Sequence, residues 1–487
     1  MSKKKNGDLA VDTNDIRSIA SIELRKPTKE ELKSCRGCRI FCLVVFFVVL
    51  LALLGLSIYL IATRSCSKKP NSSRYPNNVT YIIDVKSYND SNNDGVGDIK
   101  GVNLDYFHSL DISTLVLNDV VNNRDFGVDQ ILGSENDFKK FFQEAYNKSM
   151  AVMLSINPCT VSLESRWFKD FISSTADEKE SWFIVKKPEE ITNWRNKNNN
   201  SAWYEMNDTF YYSYFGQDSP MLNYHNDNVT KALLEKLTKW KNLGASGFLF
   251  KHVSRITVDN KFRNNSYTDI FDKDQDTSLN VLKNIYKHVS KEKLGMVWLA
   301  SSSHFFLKNA SDQIADLFVP DIIAQLAIPV DVISLNRTIG EMVTDFNKFS
   351  IGWVNSFLDY ENLTHSNPEL TRLKVLFSLV LPNKVLVYNK EKNHKLDDKT
   401  LKLIELRTLR SEFQTLPTAI NCTSSSSTME IMYKNKIRVV VNFGEVSSTL
   451  SYHSTVLYSS SSSSNFSLSE KTKGSIVEPF NLIILDV

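Results

Sequence analysis

Thr230-Lys-Ala-Leu-Leu-Glu-Lys-Leu-Thr-Lys-Trp-Lys-Asn-Leu-Gly-Ala-Ser-Gly-Phe-Leu-Phe-Lys251 carries the reading of the fold. Leu233, Leu234, Leu237 and Trp240 share one face of a helix over 230–243, and Gly244 stops it. The run 247–250 that follows is short and apolar on both faces, as a strand of a parallel sheet covered on both sides must be. Working outward, the same helix–strand unit recurs. A helix over 105–110 precedes a strand over 113–117, and 137–148 precedes 150–156. Further on, 282–291 precedes 295–300, and 370–381, closed by Pro382, precedes 385–388. At least five such units across about 300 residues predict a closed (β/α)8 TIM barrel rather than a small open sheet.

Two stretches break the rhythm. Residues 159–226 are rich in Trp, Tyr and Asn and read as an insertion after the third strand. From about residue 415, strands over 436–442, 455–458 and 482–487 alternate with Ser-rich loops at 424–427 and 459–464. This pattern predicts a small antiparallel β-sandwich. The predicted organisation is therefore barrel at 81–158 and 227–414, B domain at 159–226 and carboxy-terminal sandwich at 415–487.

Upstream lies an uncharged run of 23 residues, Ile40 to Ala62, long enough for a helix to span a hydrocarbon core of about 30 Å. Its apolar length exceeds the usual 7–15 residues of a cleaved signal peptide. The flank before it carries Arg25, Lys26, Lys29, Lys33, Arg36 and Arg39, against Arg64, Lys68, Lys69 and Arg74 after it. That excess favours a cytoplasmic amino terminus. Thirteen N-x-S/T sites agree with this side, for all follow the run: Asn71, Asn78, Asn89, Asn147, Asn199, Asn207, Asn228, Asn264, Asn309, Asn336, Asn362, Asn421 and Asn465. The reading is a single-pass type II plasma-membrane protein: tail 1–39, transmembrane helix 40–62, linker 63–80, then the exterior domains, with the lipid bilayer as one partner. A net charge of +3 over 487 residues implies no nucleic-acid partner.

Of six cysteines, Cys35, Cys38 and Cys42 lie on the cytoplasmic edge, where a lone Cys-x-x-Cys is weak evidence for zinc. Cys66, Cys159 and Cys422 lie outside. Three is odd, so one thiol is available for an interchain disulfide, and Cys66 beside the membrane is the best candidate. Cys159 and Cys422 either pair or stand as buried free thiols.

From Tyr81 to Val487 the chain resembles glycoside hydrolase family 13, the α-amylase superfamily, in its oligo-1,6-glucosidase branch. The stretch 81–101 is similar to that branch's first strand and acidic loop, and Asp125-Phe-Gly-Val-Asp129 to its D-Y-G-Y-D element. Asn193-Trp194, Ser201-Ala-Trp203, Phe210-Tyr-Tyr212 and 220–224 follow in the family's order through the B domain. Leu381-Pro-Asn-Lys-Val-Leu-Val-Tyr388 resembles the seventh-strand motif.

A retaining glycosidase of this kind needs a nucleophilic carboxylate and an acid/base carboxylate at strand ends. The resemblance puts Lys251 at the nucleophile position, Leu249 where an arginine would orient it, and Leu299 or Ala300 at the acid/base position. Ser155, Cys159 and Thr160 replace the third-strand pattern, while 353–359 keeps one acid at Asp359. These degenerate positions imply no catalytic residues by the usual mechanism. A Ser/His pairing of Ser301–Ser303 with His304 lacks the nucleophile-elbow motif, and His252 reads as a packed barrel-mouth histidine. The acidic loop offers Asp90, Asn92, Asp94, Asp98 and the Val96 carbonyl around Gly95, oxygen donors suited to a structural Ca²⁺.

A glucosidase frame without its two acids, on a type II anchor with an adjacent cysteine, resembles the heavy chains of heteromeric amino acid transporters. These are the solute carrier family 3 proteins of the rBAT and 4F2 heavy chain type. The resemblance implies a non-catalytic subunit, joined to a polytopic light chain through Cys66, the transmembrane helix and the ectodomain, and needed for surface expression and transport. Two alternatives are a membrane-anchored α-glucosidase and a cell-surface adhesion or receptor protein.

Overall fold

The computed structural model describes residues 29–63 and 79–487, apart from 174–181, 292–294, 302, 304, 311–312, 345–349, 357–366, 389–395, 424–426, 450–453 and 462–475. Two units divide the chain at Arg74/Tyr75. In the first, one helix runs over Lys29–Thr63. Its segment Ile40–Ser57 is long and apolar enough to cross a membrane by length and composition. Ser57 Oγ donates to the Leu53 carbonyl at 2.8 Å, so the hydroxyl is satisfied within the helix.

The second unit opens with β1 (Val79–Asp84), β2 (Thr114–Asn118) and β3 (Ala151–Ile156). A three-stranded antiparallel sheet of β4 (Val185–Lys186), β5 (Trp203–Met206) and β6 (Thr209–Tyr212) interrupts. Then come β7 (Gly247–Phe250), β8 (Met296–Ser301), β9 (Leu317–Pro320), β10 (Ser350–Val354) and β11 (Lys384–Tyr388). Strands β1, β2, β3, β7, β8, β9, β10 and β11 close into a parallel barrel, and the β4-β6-β5 sheet comes between β3 and β7 in the chain. The motif at 381–388 therefore belongs to the eighth barrel strand rather than the seventh. The shift arises because β9 is only four residues long, ends in proline and is easily missed as a separate unit.

Local chemistry sets the element ends. The helix Glu135–Asn147 starts on a capping box in which Ser134 and Asp137 exchange side-chain-to-backbone bonds. The helix Asp227–Leu243 stops at Gly244, whose φ of 119° lies in the left-handed region, and a Cβ there would come within 2.8 Å of the Phe142 Cβ. Inside the barrel, alternate residues such as Ile82, Val116, Met153, Leu249, Trp298 and Leu386 form one buried cluster. Their neighbours on the same strands pack outward against the helices, which explains why the strands are apolar on both faces.

The chain ends in β12 (Ala419–Thr423), β13 (Thr428–Tyr433), β14 (Ile437–Asn442), β15 (Ser448–Thr449), β16 (Thr455–Ser459), β17 (Ile476–Val477) and β18 (Asn481–Asp486). The sandwich expectation is corrected to one five-stranded antiparallel sheet, β12-β13-β14-β18-β16, with a two-stranded ribbon, β15-β17. The sheet's second layer is largely the barrel itself. Tyr433 donates to the Val380 carbonyl at 2.5 Å, and Phe377 meets Phe443 edge-on at 5.0 Å. Within this part of the chain, the small cluster of Val440, Val456, Val477, Ile483 and Leu485 is separate from the main core.

Candidate active site

The carboxy-terminal mouth of the barrel is where the chemistry of such folds gathers. Lys251 follows β7 directly and is buried there. Its Nζ donates to Asp119 Oδ1 at 2.9 Å and to Asn118 Oδ1 at 3.4 Å. Asn118 ends β2, accepts from Ser155 Oγ at 2.6 Å and donates to Asp119 Oδ2 at 3.1 Å. Asp119 takes a φ of 53°, which turns its carboxylate back over the mouth, and its side chain is 51% exposed. Tyr388, at the end of β11, completes the ring. Burial raises its hydroxyl pKa, Asp84 and Asp119 raise it further, and Lys251 and Asn118 oppose the shift.

Two more acids stand at the mouth. Asp321 follows β9, and burial raises its carboxyl above the ordinary range, tempered by a hydrogen bond from Gln325 and by His252. Asp274 is raised by burial as well, with Ser303, Lys273 and Arg255 opposing and Asp272 adding to the shift. Its Oδ1 has no partner among the described residues. Nearby, Arg255 pairs with Asp272 at 2.8 Å and lies 3.3 Å from the centre of the Tyr214 ring.

The sequence expectations fall out unevenly. Of Leu299 and Ala300, only Ala300 packs against the inner cluster; Leu299 joins the outer core, so it drops out of the acid/base position. Leu249 faces inward, on the same side of its strand as Lys251. His252 packs its ring against Phe215 at 4.7 Å, and its carbonyl accepts from Cys159 Sγ at 3.4 Å. Cys159 and Cys422 do not form a disulfide with each other. Ser301 Oγ accepts from the Ser303 amide, while Ser302, His304 and Asp359 lie outside the described residues. Cys66, Asn71, Asn78, Asn362 and Asn465 also lie outside them. Among the nine described sequon asparagines, Asn336 is half-buried and the other eight are exposed.

The acidic loop is locally self-bonded. Asp90 Oδ2 accepts from the Gly95 amide at 2.7 Å, and Asp94 Oδ1 from the Val96 amide at 2.8 Å. Asp98 is buried, accepting from Ser91 and from the amides of Lys100 and Gly101. Among the described residues, no three His, Cys, Asp or Glu side chains gather as a metal group. The carboxylate, carboxamide and carbonyl oxygens at 90–96 match calcium's preference by type. Sequence reasoning missed Asp119, Asp274 and Asp321. The signal available for two of them was an acid in the first position after a barrel strand.

Residues 82–314 match the family described as Alpha amylase, catalytic domain. An alpha-amylase-like catalytic domain is supported. The trehalose-6-phosphate hydrolase of Bacillus subtilis (strain 168) is 30% identical over 204 residues, 38% of this chain and 36% of that protein. The alpha-glucosidase of Candida albicans is 30% identical over 193 residues, 35% of this chain and 34% of that protein. The match thus spans about a third of the length of these curated relatives. Among solved structures, Bacillus licheniformis trehalose-6-phosphate hydrolase superimposes with a TM-score of 0.71 at 16% identity, covering 84% of this chain and 99% of that one. MutB in complex with isomaltulose gives 0.70 at 15% identity, covering 86% and 100%. At such identities the likeness is one of fold.

These relatives overturn the heavy-chain reading and the non-enzyme reading that went with it. Their names are those of glycoside hydrolases and point to a glycosidase. The earlier reading inferred loss of activity from two strand positions, whereas the mouth presents other carboxyls. The light-chain partner expected through Cys66 rested on that same inference.

Proposed function

We propose that this chain is a glycosidase acting on α-glucosides, with its carboxyl chemistry supplied by Asp119 and Asp321 instead of the strand positions held by Lys251 and Ala300. The observation that carries the reading is the family match across 82–314. It covers the ends of five of the eight barrel strands, β1, β2, β3, β7 and β8, and Asp119, while Asp321 lies just beyond it. Asp321, raised by burial, keeps its proton to higher pH and donates it to the glycosidic oxygen as the C–O bond breaks. Asp119, beside the Lys251 ammonium, accepts the proton of the attacking water. Tyr388 and Asn118 orient that carboxylate through the network around Lys251.

The test is turnover of p-nitrophenyl α-glucoside by the purified full chain. Asp321→Asn and Asp119→Asn should each lower kcat by about 100-fold or more, the scale of losing general acid or base assistance. Sugar binding without turnover in the parent, or full activity in both variants, overturns the proposal.

The segment Ile40–Ser57 supports anchoring in a membrane, and the sequons downstream of it support an exterior carboxy-terminal side. Protease protection of the 1–39 tail in sealed vesicles, with glycans removable from outside, is the expected outcome. In the same proposal, Asp90, Asn92, Asp94, Asp98 and the Val96 carbonyl hold a structural Ca²⁺. EDTA should then lower the parent's Tm, and Asp94→Ala should remove that response.

A further inference from the structure

The acid proposed to protonate the leaving group sits on a turn, and that turn is held from a neighbouring helix. Asp321 leads from β9 into a single turn of chain. Its carbonyl accepts from the Gln325 amide at 3.0 Å, and the Ile323 carbonyl accepts from the Leu326 amide at 3.2 Å. Two residues of the turn, Ile323 and Ala324, are buried. The Ala324 carbonyl accepts from Lys374 Nζ at 2.9 Å. Lys374 lies midway along the helix Pro368–Val380, among its buried residues Leu370, Leu373 and Phe377, and is itself only 7% exposed. Gln325 reaches back along the turn and donates from Nε2 to Asp321 Oδ1 at 2.7 Å. The turn is therefore gripped twice, once at a backbone carbonyl and once at the carboxyl it carries.

Packing alone does not ask for a lysine at this position. Burial pushes its ammonium down to about 8, and no charge among the described residues opposes that shift. One hydrogen bond to a neutral carbonyl returns less than desolvating an ammonium costs. A methionine is unbranched like lysine and adapts to such a space without the ion. Lys374 therefore lowers stability, and its described polar contact is with the turn that carries Asp321. A local cost that fixes a reactive group is a mark of function. Gln325 acts on the carboxyl itself. It and His252, from the segment after β7, are the groups set against the burial that raises Asp321, and both favour its ionised form. We propose that Lys374 and Gln325 are positioning residues for Asp321, Lys374 by pinning the turn to the helix Pro368–Val380 and Gln325 by orienting the carboxyl. This role rests on the reading of Asp321 as the general acid, whereas the pinning is measurable without activity.

The test compares the full chain in detergent with its variants Lys374→Met and Gln325→Leu. In Lys374→Met, amide hydrogen exchange in a peptide spanning 321–326 should quicken while the barrel strands stay protected. Its Tm should equal or exceed the parent's, because a desolvated ammonium has gone. On p-nitrophenyl α-glucoside its kcat should fall about 10- to 100-fold, the scale of a small misplacement of a reacting group, with KM little changed. Gln325 is exposed, so Gln325→Leu should fold as the parent does. It should move the basic limb of the kcat/KM pH profile to higher pH, since the lost amide favoured the ionised carboxyl. A merely structural lysine would instead lower Tm and leave kcat alone, and that result overturns the proposal. So does parent-like exchange at 321–326 in Lys374→Met, or an unmoved limb in Gln325→Leu. Full activity in Asp321→Asn overturns the acid assignment instead, even where Lys374→Met loosens the turn, so the two failures are told apart.

Discussion

Lys251 and Lys384 enter the same barrel from opposite ends and meet different fates. Lys251 ends its strand in a built environment, with Asp119 at 2.9 Å, Asn118 at 3.4 Å and its side chain only 4% exposed. Lys384 begins its strand over a Trp298 ring, and burial pushes its ammonium down to about 8. The difference follows from where loops deliver acids. The segments after β2 and β9 bring Asp119 and Asp321 to the mouth, whereas no described carboxylate pairs with Lys384 at the floor. One lysine is therefore part of a reactive constellation, and the other is a cation with no described carboxylate partner.

The strongest way to break this contrast is to remove the acid that makes Lys251 comfortable. Asp119→Ala removes the carboxylate that pairs with a buried ammonium. Orphaning a fully buried pair member costs about 3–5 kcal/mol, and the half-exposed Asp119 side places this case near about 2–3 kcal/mol. Urea unfolding should show that loss, and the double variant Asp119→Ala, Lys251→Met should recover most of it. If the double variant is no more stable than the single one, the pair is not what holds Lys251.

How much of this was legible beforehand differs between frame and site. The helix–strand units at 230–250 and 137–156 were readable because their strands are apolar on both faces and their helices are amphipathic. The strand Leu317–Pro320 and the helix Val332–Thr344 were not, the first for its four residues and terminal proline, the second for a face interrupted by Asn336, Arg337 and Gly340. The edge strand Ala419–Thr423 mixes polar and apolar residues, so its sequence carries no strand pattern. At the site, Lys251 was located at its strand end from sequence alone. Its partner Asp119 lies 132 positions away, and only closure of the barrel brings the two together. Local pattern reports strand ends. It does not report which loop acid leans over which strand.

The pH dependence of stability sharpens the same contrast at the floor. Lys384 and Lys374 are each lowered by burial to about 8, against about 10.4 for an unfolded lysine. A depressed lysine opposes folding while it is protonated, so the penalty is fully present below about pH 8. It lifts as pH rises toward the unfolded value, where the unfolded chain still binds the extra proton. The parent should gain stability relative to Lys384→Met between pH 7.5 and 10. Comparing the two chains cancels Lys374 and the buried tyrosines, which titrate in both. A difference that stays flat across that range would show that Lys384 is already neutralised in the fold.

The smallest expected effect tests whether the mouth network is shared or merely adjacent. Ser155 Oγ donates to Asn118 Oδ1 at 2.6 Å, the same oxygen that accepts from Lys251 at 3.4 Å. Ser155→Ala removes that neutral hydrogen bond, worth about 1 kcal/mol, together with the long one at 3.4 Å that Ser155 Oγ accepts from the Asp119 amide. It also frees the Asn118 oxygen for the ammonium, so Lys251 should tighten on Asn118 and return part of the loss. A double-mutant cycle with Lys251→Met then has a definite sign. Ser155→Ala should cost less with Lys251 present than with methionine in its place, where no ammonium remains to take up the freed oxygen. Equal costs in both backgrounds would mean that Ser155 and Lys251 use Asn118 independently, and that the mouth is a set of neighbours, not one coupled network.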